Sequence, residues 1–233
     1  MPLAKTKNAK TKKRPTTAPA AKPRARFHHG NLREALIQAT LELVEEGGIE
    51  RITVREAARR AGVSSGAPFR HFPNKTALMT AVAEEAMHRF RAEIEVALKR
   101  AAAADPLTRF RALGDAYFRW ITRNPTHFRI ISDRTLVDFV GSESLRDDNA
   151  ATRRVMEGLL GQAQRERLVR PGDIAIMALA ARAIAYGLGR MWIDGHFAQW
   201  DVAPKQVRPL IDRIFDLFVS GLAGGEAPAG RQG

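Results

Sequence analysis

One run of residues constrains the fold of this chain more than any other: TVREAARRAGVSSGAPFRHFPNK, which opens at Thr53. Thr53 and Glu56 have the spacing of a capping box, and this spacing predicts the start of a short helix. Gly62 tolerates the left-handed backbone conformation that ends a helix in a sharp turn. Ser64 or Ser65 then caps a second short helix that ends before the proline of the run. Two short helices joined by a glycine turn have the geometry of a helix-turn-helix, a DNA-binding motif.

The charge of the chain favours the same class of partner. Its 233 residues carry a net charge of +13, and its pI is near 10.9. A polyanion is therefore expected as a partner, nucleic acid before an anionic membrane. Residues 1–26 supply +9 of this charge, which leaves only +4 for the rest of the chain. This tail has the composition of a disordered segment, and it is either a solvated leader or an arm that contacts DNA phosphates or a minor groove.

The pattern downstream of the tail predicts two helical domains. From Asn31, apolar residues at helical spacing predict a supporting helix that ends at Gly47. With the two short helices it completes a helix-turn-helix DNA-binding domain at residues 27–73. Residues 74–222 form a helical ligand-binding and dimerisation domain, and residues 223–233 form a disordered tail. The predicted fold class is all-α, a three-helix DNA-binding domain followed by a helical bundle.

Capping residues set the expected helices of the second domain. Asn74 caps a long helix that ends near Arg100. An Asp-Pro and an Asn-Pro pair further on each place a cap before a proline at the first helical position. Residues 141–150 are a polar loop or a frayed helix start, and Asp147 and Asp148 are a hydrated pair, because nothing orients the two carboxylates against each other. Helices beyond the long one are predicted near residues 106–123, 125–134, 151–168, 174–194 and 204–222.

A longer segment around the first motif resembles the N-terminal domain of TetR-type (TetR/AcrR) transcriptional regulators over its whole length: HHGNLREALIQATLELVEEGGIERITVREAARRAGVSSGAPFRHFPNKTALMTAVAEE. The run T-V-R-E-A-A-R-R-A-G-V-S, followed by F-x-H-F-x-x-K, is more specific than a bare helix-turn-helix match. The resemblance implies a homodimer of all-helical subunits that binds a palindromic DNA operator, usually as a repressor. It also implies release of the DNA when a small molecule enters the C-terminal domain, for which the resemblance allows a WHG-type domain.

The resemblance assigns roles to residues of the motif. The residues implied to hold phosphates are Thr53, Arg55, His71 and Lys75, and those implied to face base edges or the groove wall are Ser64, Ser65, Gly66, Ala67 and Arg70. Phe69 departs from the family pattern, which has a tyrosine whose hydroxyl reaches a phosphate. Its ring is expected to contact thymine methyls or sugars instead. For His71, a cap on the short helix is the alternative role.

The segment at residues 174–194 is apolar and about as long as a membrane span. Arg182 and Arg190 inside it disfavour a bilayer, because an arginine at mid-span costs roughly 2.5–3.5 kcal/mol. Small side chains on one face of this segment favour close helix packing instead. The helix at residues 204–222 also repeats apolar residues at helical spacing. We expect these two helices to form a four-helix homodimer interface, with no membrane partner.

The candidate effector site is an apolar cavity between helices of the second domain. The candidate lining residues lie on different predicted helices: Tyr117, Trp120, Phe128, Met156, Tyr186, Met191 and Trp192. Ordinary core packing is the alternative role for each of them. His127 and His196 are candidate polar handles, with a satisfied or surface histidine as the alternative.

The sequence also argues against several chemistries. It has no cysteine, which excludes disulfides, thiolate metal sites and cysteine nucleophiles and fits a reducing, cytoplasmic location. Its six histidines lack metal-ligand spacing, and it contains no Walker loop, dinucleotide fingerprint or G-x-S-x-G elbow. We therefore expect no metal, no cofactor and no enzymatic activity.

The expected function is a sequence-specific DNA-binding transcriptional regulator, a repressor that a small-molecule effector releases from its double-stranded operator. The first alternative is a non-specific DNA-coating protein that relies on the basic tail. The second alternative is an enzyme that handles a small molecule, against which the lack of an activated nucleophile or base pair is the argument.

Overall fold

The structure is a computed structural model that describes residues 32–223, so the predictions for both tails and for the Asn31 cap lie outside the described residues. Eight α-helices follow one another in this range: α1 Leu32–Gly47, α2 Val54–Arg60, α3 Lys75–Arg100, α4 Pro106–Arg123, α5 Pro125–Ser132, α6 Glu143–Arg165, α7 Ile174–Ile193 and α8 Pro204–Leu222. Short 3-10 helices cover Ile49–Arg51, Ala67–Arg70 and His196–Trp200. Between residues 32 and 223 the only β-type pairing is an isolated bridge of Val169 with Ala223. The all-α prediction is confirmed.

Side-chain caps explain why most helices begin where the sequence predicts. The side chains of Asn74, Asp105 and Asp173 each accept backbone N–H groups of the first turns of α3, α4 and α7. Asn124 is different, because its side chain donates to the carbonyl of Trp120 at 2.9 Å instead of capping α5. The start of α5 therefore depends on its first residue, a proline, whose fixed φ suits a first helical position.

Helix α6 begins earlier than the sequence predicts. It starts at Glu143, inside the polar segment 141–150, because the hydroxyl of Ser142 accepts the N–H of Leu145 at 3.2 Å. Leu145 is 1% exposed, so its packing holds this first turn against the core. The prediction of a loop here is wrong, and the alternative of a helix start describes the segment better. Helices α5 and α6 also end slightly earlier than predicted.

Asp148 is buried, so the prediction of a hydrated carboxylate pair is wrong. It lies on α6 and is 3% exposed, whereas Asp147 is exposed. Its carboxylate accepts a hydrogen bond from Arg91 of α3 at 2.7 Å and lies 3.6 Å from Nε2 of His88. A buried carboxylate of this kind requires a charged partner. That partner is 57 residues earlier in the chain and therefore not readable from local pattern.

The buried side chains form two kinds of core. The first surrounds α1, α2 and the first half of α3, and we call it the alanine-rich core; it includes Leu36, Ala57, Ala58, Phe72, Leu78 and Ala83. The second lies between the rest of α3 and helices α4 to α8, and we call it the aromatic core; it includes Phe90, Phe110, Phe118, Trp120, Phe128 and Phe215. Helix α3 contributes to both cores and physically connects them.

Helix α7 packs one face on the aromatic core. A Cβ at Gly189 would lie 2.6 Å from the terminal methyl of Ile121 and 3.0 Å from Phe128, so a larger residue there would force these side chains to shift. Among the described residues, α7 is the one helix whose length and mean hydropathy of 1.4 would allow a membrane span. Apolar core helices of soluble proteins meet the same criteria, and only 22% of the apolar stretch is buried here.

Candidate DNA interface and effector cavity

The first helix of the motif, α2, forms only one of the two hydrogen bonds of the predicted capping box. The hydroxyl of Thr53 accepts the N–H of Glu56 at 3.1 Å. The carboxylate of Glu56 pairs with Arg59 instead of returning to the backbone of Thr53. This hydrogen bond from Arg59 lowers the pKa of Glu56 below its ordinary value. The reciprocal half of the predicted capping box is therefore wrong, because a cation one turn away competes for the carboxylate.

The turn that follows α2 matches the prediction. Gly62 has φ +72, in the left-handed region where glycine is favoured. Its N–H donates to Arg59 O at 3.2 Å, and the N–H of Val63 donates to Ala58 O at 3.1 Å. Val63 packs against the alanine-rich core. The turn therefore closes on α2 through backbone hydrogen bonds and one apolar contact.

The second helix of the motif is shorter than predicted and differently capped. It is a 3-10 helix at Ala67–Arg70 whose N-cap is Gly66, and no side chain caps it. The prediction of a cap by Ser64 or Ser65 is therefore wrong, since both side chains are exposed and only the carbonyl of Ser64 is used, by the N–H of Ala67. Pro68 lies in the first turn, where its missing N–H is not needed. Pro68 is also buried and anchors the element.

Most of the predicted DNA-contacting residues are exposed on this motif. The exposed ones are Thr53, Arg55, Ser64, Ser65, Gly66, Phe69, Arg70 and His71, whereas Ala67 and Lys75 are half-buried. Four of the ten residues border one shallow depression: Thr53, Arg55, Phe69 and Lys75. Phe69 is 41% exposed, which is unusual for a phenylalanine without a partner. We call these ten residues the DNA-reading surface.

The cations of the motif differ in how they are used. Within residues 32–223, Arg55 and Arg70 form no ion pair, while Arg60 pairs with Glu46 and Glu42. The hydrogen bond from Arg60 lowers the pKa of Glu46. Lys75 donates its ammonium to the carbonyl of Ile49 at 2.8 Å, which orients it at the start of α3 with donors to spare. The charge available to a polyanion is therefore concentrated at three positions next to the short 3-10 helix.

Two neighbouring cavities lie among the helices of the second domain. The volume of the first is about 740 Å³ and that of the second about 640 Å³, and both volumes include the solvent space at the cavity mouth. Of the predicted lining residues, Tyr117 lines both cavities, Met156 lines the first, and Phe128 and Tyr186 line the second. The cavities also share Phe90 of α3 as a wall.

Three predicted lining residues lie elsewhere. Trp120 is 3% exposed and packs its ring 5.2 Å from that of Phe90, inside the aromatic core. Met191 packs against the part of the core formed with α8, and Trp192 packs edge-on against Phe118 at 6.3 Å. These predictions are wrong, because each side chain points from its helix into a packed contact and not toward a cavity.

Arg182 lines both cavities although it was not among the predicted lining residues. From the sequence alone it counted only against a membrane span. Burial raises the pKa of the neighbouring Tyr117, and the positive charge of Arg182 partly opposes this. A cation in the middle of an otherwise apolar helix was the signal that could have identified it.

The candidate polar handles His127 and His196 line neither cavity. His127 is 7% exposed, and its Nε2 has no hydrogen-bond partner in the described part of the chain. Its burial lowers its pKa, and the charge of Arg89 lowers it further. His196 is exposed. Residues 32–223 also bring no three potential metal ligands of the His, Cys, Asp and Glu types together.

A polar junction links the DNA-binding helices to the second domain. Glu84 of α3 accepts a hydrogen bond from Arg33 of α1 at 3.0 Å and one from the hydroxyl of Ser142 at 2.9 Å. One turn earlier, the hydroxyl of Thr80 accepts the N–H of Asp138 at 3.0 Å. The first half of α3 is therefore tied both to the helix-turn-helix and to the start of α6.

Comparisons with known proteins agree with this architecture. The sequence model of bacterial regulatory proteins of the TetR family matches residues 36–82, and that of the tetracyclin repressor-like C-terminal domain matches residues 110–224. The chain is 32% identical over 143 residues to the nucleoid occlusion factor SlmA of Vibrio cholerae, covering 61% of this chain and 71% of that protein. The chain belongs to the TetR family. It is a DNA-binding regulator of that type, and the WHG subgroup stays a prediction.

Two further proteins are similar to this chain over most of its length. The HTH-type transcriptional regulator BetI of Stenotrophomonas maltophilia is 31% identical over 170 residues, which cover 70% of this chain and 80% of BetI. A solved structure from Rhodococcus sp. RHA1, of a protein with unknown function, is 28% identical. It covers 86% of this chain and 100% of its own, with a TM-score of 0.72. The TetR architecture therefore extends through the second domain.

Proposed function

We propose that this TetR-family protein is a cytoplasmic, homodimeric repressor that binds a palindromic operator and is released by a small-molecule effector. The observation that carries the proposal is the position of α3. This helix begins at Lys75, the last residue of the DNA-reading surface, and further along it supplies Phe90 to the walls of both cavities. A ligand that moves this wall moves the helix that carries the DNA-binding domain.

The ten residues of the DNA-reading surface divide the work in this proposal. Thr53, Arg55, His71 and Lys75 hold phosphates, and the other six residues contact bases or the groove wall. Their exposure and the cations without ion pairs among residues 32–223 support this division. The proposed domain boundary follows from it: residues 27–73 bind DNA, and residues 74–222 bind the effector and the second subunit.

The proposed dimer forms through α7 and α8. Ile176 and Leu179 on α7 are each 66% exposed, and Leu217 on α8 is 74% exposed. Exposure of large aliphatic side chains on two adjacent helices to water is unfavourable in free energy. Pairing both helices with those of a second copy buries them in a four-helix arrangement and accounts for the low burial of α7.

The test is selection of binding sites from random DNA with the full-length chain, followed by competition at physiological salt. We expect an inverted repeat, bound by two subunits with about a 10³-fold or greater preference over random DNA. Binding without such a preference would contradict the proposal and favour the DNA-coating alternative. Release of the selected site by a small molecule in a compound screen tests the second half of the proposal.

The role of the basic tail, residues 1–26, is tested in the same assay by deleting it. If residues 1–26 act as an arm on DNA phosphates, their deletion lowers the dependence of affinity on salt and preserves the preference for the selected site. An unchanged salt dependence would assign the tail to solubility only. In either case the preference resides in the helix-turn-helix.

A further inference from the structure

The two cavities meet at a cluster of four residues that line both of them: Phe90, Tyr117, Thr152 and Arg182. The surrounding walls are dominated by apolar side chains, such as Ile94, Phe110 and Phe218 in the first cavity. Among the described residues, no aspartate or glutamate lines either cavity. Tyr117, Thr152 and Arg182 therefore place hydroxyl and guanidinium groups at the middle of the joined space.

Two of the arginines at the cavity walls are in opposite situations. Arg111 lies 2.7 Å from Asp216 and 2.8 Å from Asp115, so its charge is already compensated. The side chain of Arg182 is exposed, and it forms no ion pair and no side-chain hydrogen bond with any residue between 32 and 223. Arg134, at the edge of the second cavity, stacks on the ring of Phe139 at 3.8 Å. Arg182 is thus the uncompensated cation at the junction.

Tyr117 provides a second unused group at the same point. Its half-buried side chain lies among aromatic rings, with the ring of Phe90 at 5.4 Å and that of Phe128 at 6.1 Å. Its hydroxyl has no hydrogen-bond partner within the part of the chain that the structure describes. A hydroxyl and a guanidinium that both lack partners, beside apolar walls, are suited to an anionic group on an apolar molecule.

We propose that the effector is an apolar monocarboxylate whose carboxylate binds Arg182 and the hydroxyl of Tyr117 and whose hydrocarbon part fills the first cavity. This inference rests on the proposed function, since it names the ligand class of the proposed effector site. A charge-assisted contact with the guanidinium favours the carboxylate over the matching alcohol, and burial of the hydrocarbon supplies the rest of the affinity. A neutral molecule of the same shape would make no ionic contact with Arg182, and a cation would be repelled.

The experiment measures binding to the full-length protein by calorimetry, without DNA, using the alkanoates from hexanoate to dodecanoate. Each is compared with the alcohol and the ammonium compound of the same chain length. We expect the best carboxylate to bind about tenfold or more tightly than its alcohol, and the ammonium compound to bind weakest. Equal affinities of carboxylate and alcohol at every chain length, or no binding by any carboxylate, would overturn the proposal.

Variants locate the site. Arg182→Gln is expected to abolish the preference for carboxylate over alcohol while leaving alcohol binding in place, which also shows that the cavity is intact. Tyr117→Phe should reduce the same preference less. Arg129→Gln is the matched control, because Arg129 is exposed and lines neither cavity, so its loss removes the same charge from the chain. A preference that survives Arg182→Gln would overturn the assignment.

Adding the selected operator separates this proposal from the repressor function. If the carboxylate binds through Arg182 but leaves the operator complex intact, the ligand class stands and the proposed release mechanism fails. If an uncharged compound releases the operator and Arg182→Gln has no effect on it, the repressor function stands and the ligand class fails.

Discussion

The alanine-rich core and the aromatic core are packed in opposite ways. Around the helix-turn-helix, small side chains such as Ala57 and Ala58 are fully buried, and helices approach closely. In the second domain, large rings contact one another edge-on, as the ring of Tyr117 does with those of Phe90 and Phe128, and cavities remain beside them. Dense packing of small groups resists deformation, whereas a core with gaps can accept a ligand and rearrange.

The difference teaches how one helix can serve two purposes. Helix α3 lies in the alanine-rich core at its start and beside the cavities further along. The second cavity borders the alanine-rich core, since Ala83 and Leu145 line the cavity and also belong to that core. A ligand in the cavities would therefore displace the part of α3 that lies beside them. The part of α3 in the alanine-rich core would transmit this displacement to the DNA-reading surface.

The largest expected effect tests the packing difference directly. Leu36 of α1 is fully buried in the alanine-rich core, so Leu36→Ala is expected to lower the free energy of unfolding by about 2–5 kcal/mol. Leu113→Ala, at the wall of the first cavity, should cost clearly less, because part of that side chain already faces unfilled space. Urea denaturation followed by circular dichroism measures both, and equal losses would contradict the comparison.

The next effect concerns the DNA-reading surface, which lies next to the alanine-rich core. Arg70→Ala is expected to weaken binding to the selected operator by about 1–3 kcal/mol, with little change on random DNA. Lys75→Ala should weaken both by a similar factor and lower the salt slope by about one, as loss of a phosphate contact does. Fluorescence anisotropy titrations at several salt concentrations measure both effects, with the exposed Arg153→Ala on α6 as control. Equal losses of Arg70→Ala on both DNAs would make it a phosphate contact.

The comparison also explains what the sequence could predict. The helix starts at Asn74, Asp105 and Asp173 depend on neighbours within one turn, so their spacing was sufficient. The turn at Gly62 is local in the same sense. Along the DNA-binding motif, most of the residues that the resemblance assigned to DNA are exposed, and their contacts with DNA stay a prediction.

What the sequence could not predict depends on partners distant in the chain. The early start of α6 depends on the burial of Leu145, and the burial of Asp148 depends on Arg91, 57 residues earlier. The cavities gather residues from several helices, so the direction of each side chain matters more than its type. That is why Tyr117 lines the cavities whereas Trp192 packs against Phe118, and ligand binding by Tyr117 stays a prediction.

A smaller effect is expected at the junction between the two cores. Glu84→Gln removes the ion pair with Arg33, in which the two side chains are 25% and 50% exposed, so stability should fall by less than about 1 kcal/mol. The coupling between carboxylate binding and operator release should nevertheless weaken several-fold, because α1 and α3 are no longer joined by charge. The ratio of operator affinities with and without ligand measures the coupling.

Glu85→Gln is the matched control for this junction. Glu85 is the next residue of α3, but its ion pair is with Arg89 on the same helix, at 2.8 Å. Its loss removes one negative charge without separating two helices. If both variants change the coupling equally, the effect is one of net charge, and the junction at Glu84 has no special role.

The smallest effect concerns His127 on α5, which lies between α1 and α3. Burial lowers the pKa of His127 below the ordinary value of 6.5, so the unfolded chain binds this proton more readily than the folded one. The stability contribution of the neutral ring is therefore full above about pH 7 and declines as pH falls through the ordinary histidine range toward the lowered pKa. The urea midpoint should therefore be lower at about pH 5.5 than at about pH 7.5. His127→Gln should reduce that difference, while the exposed His196→Gln should leave it unchanged, and a difference that persists in His127→Gln would assign the pH dependence to other groups.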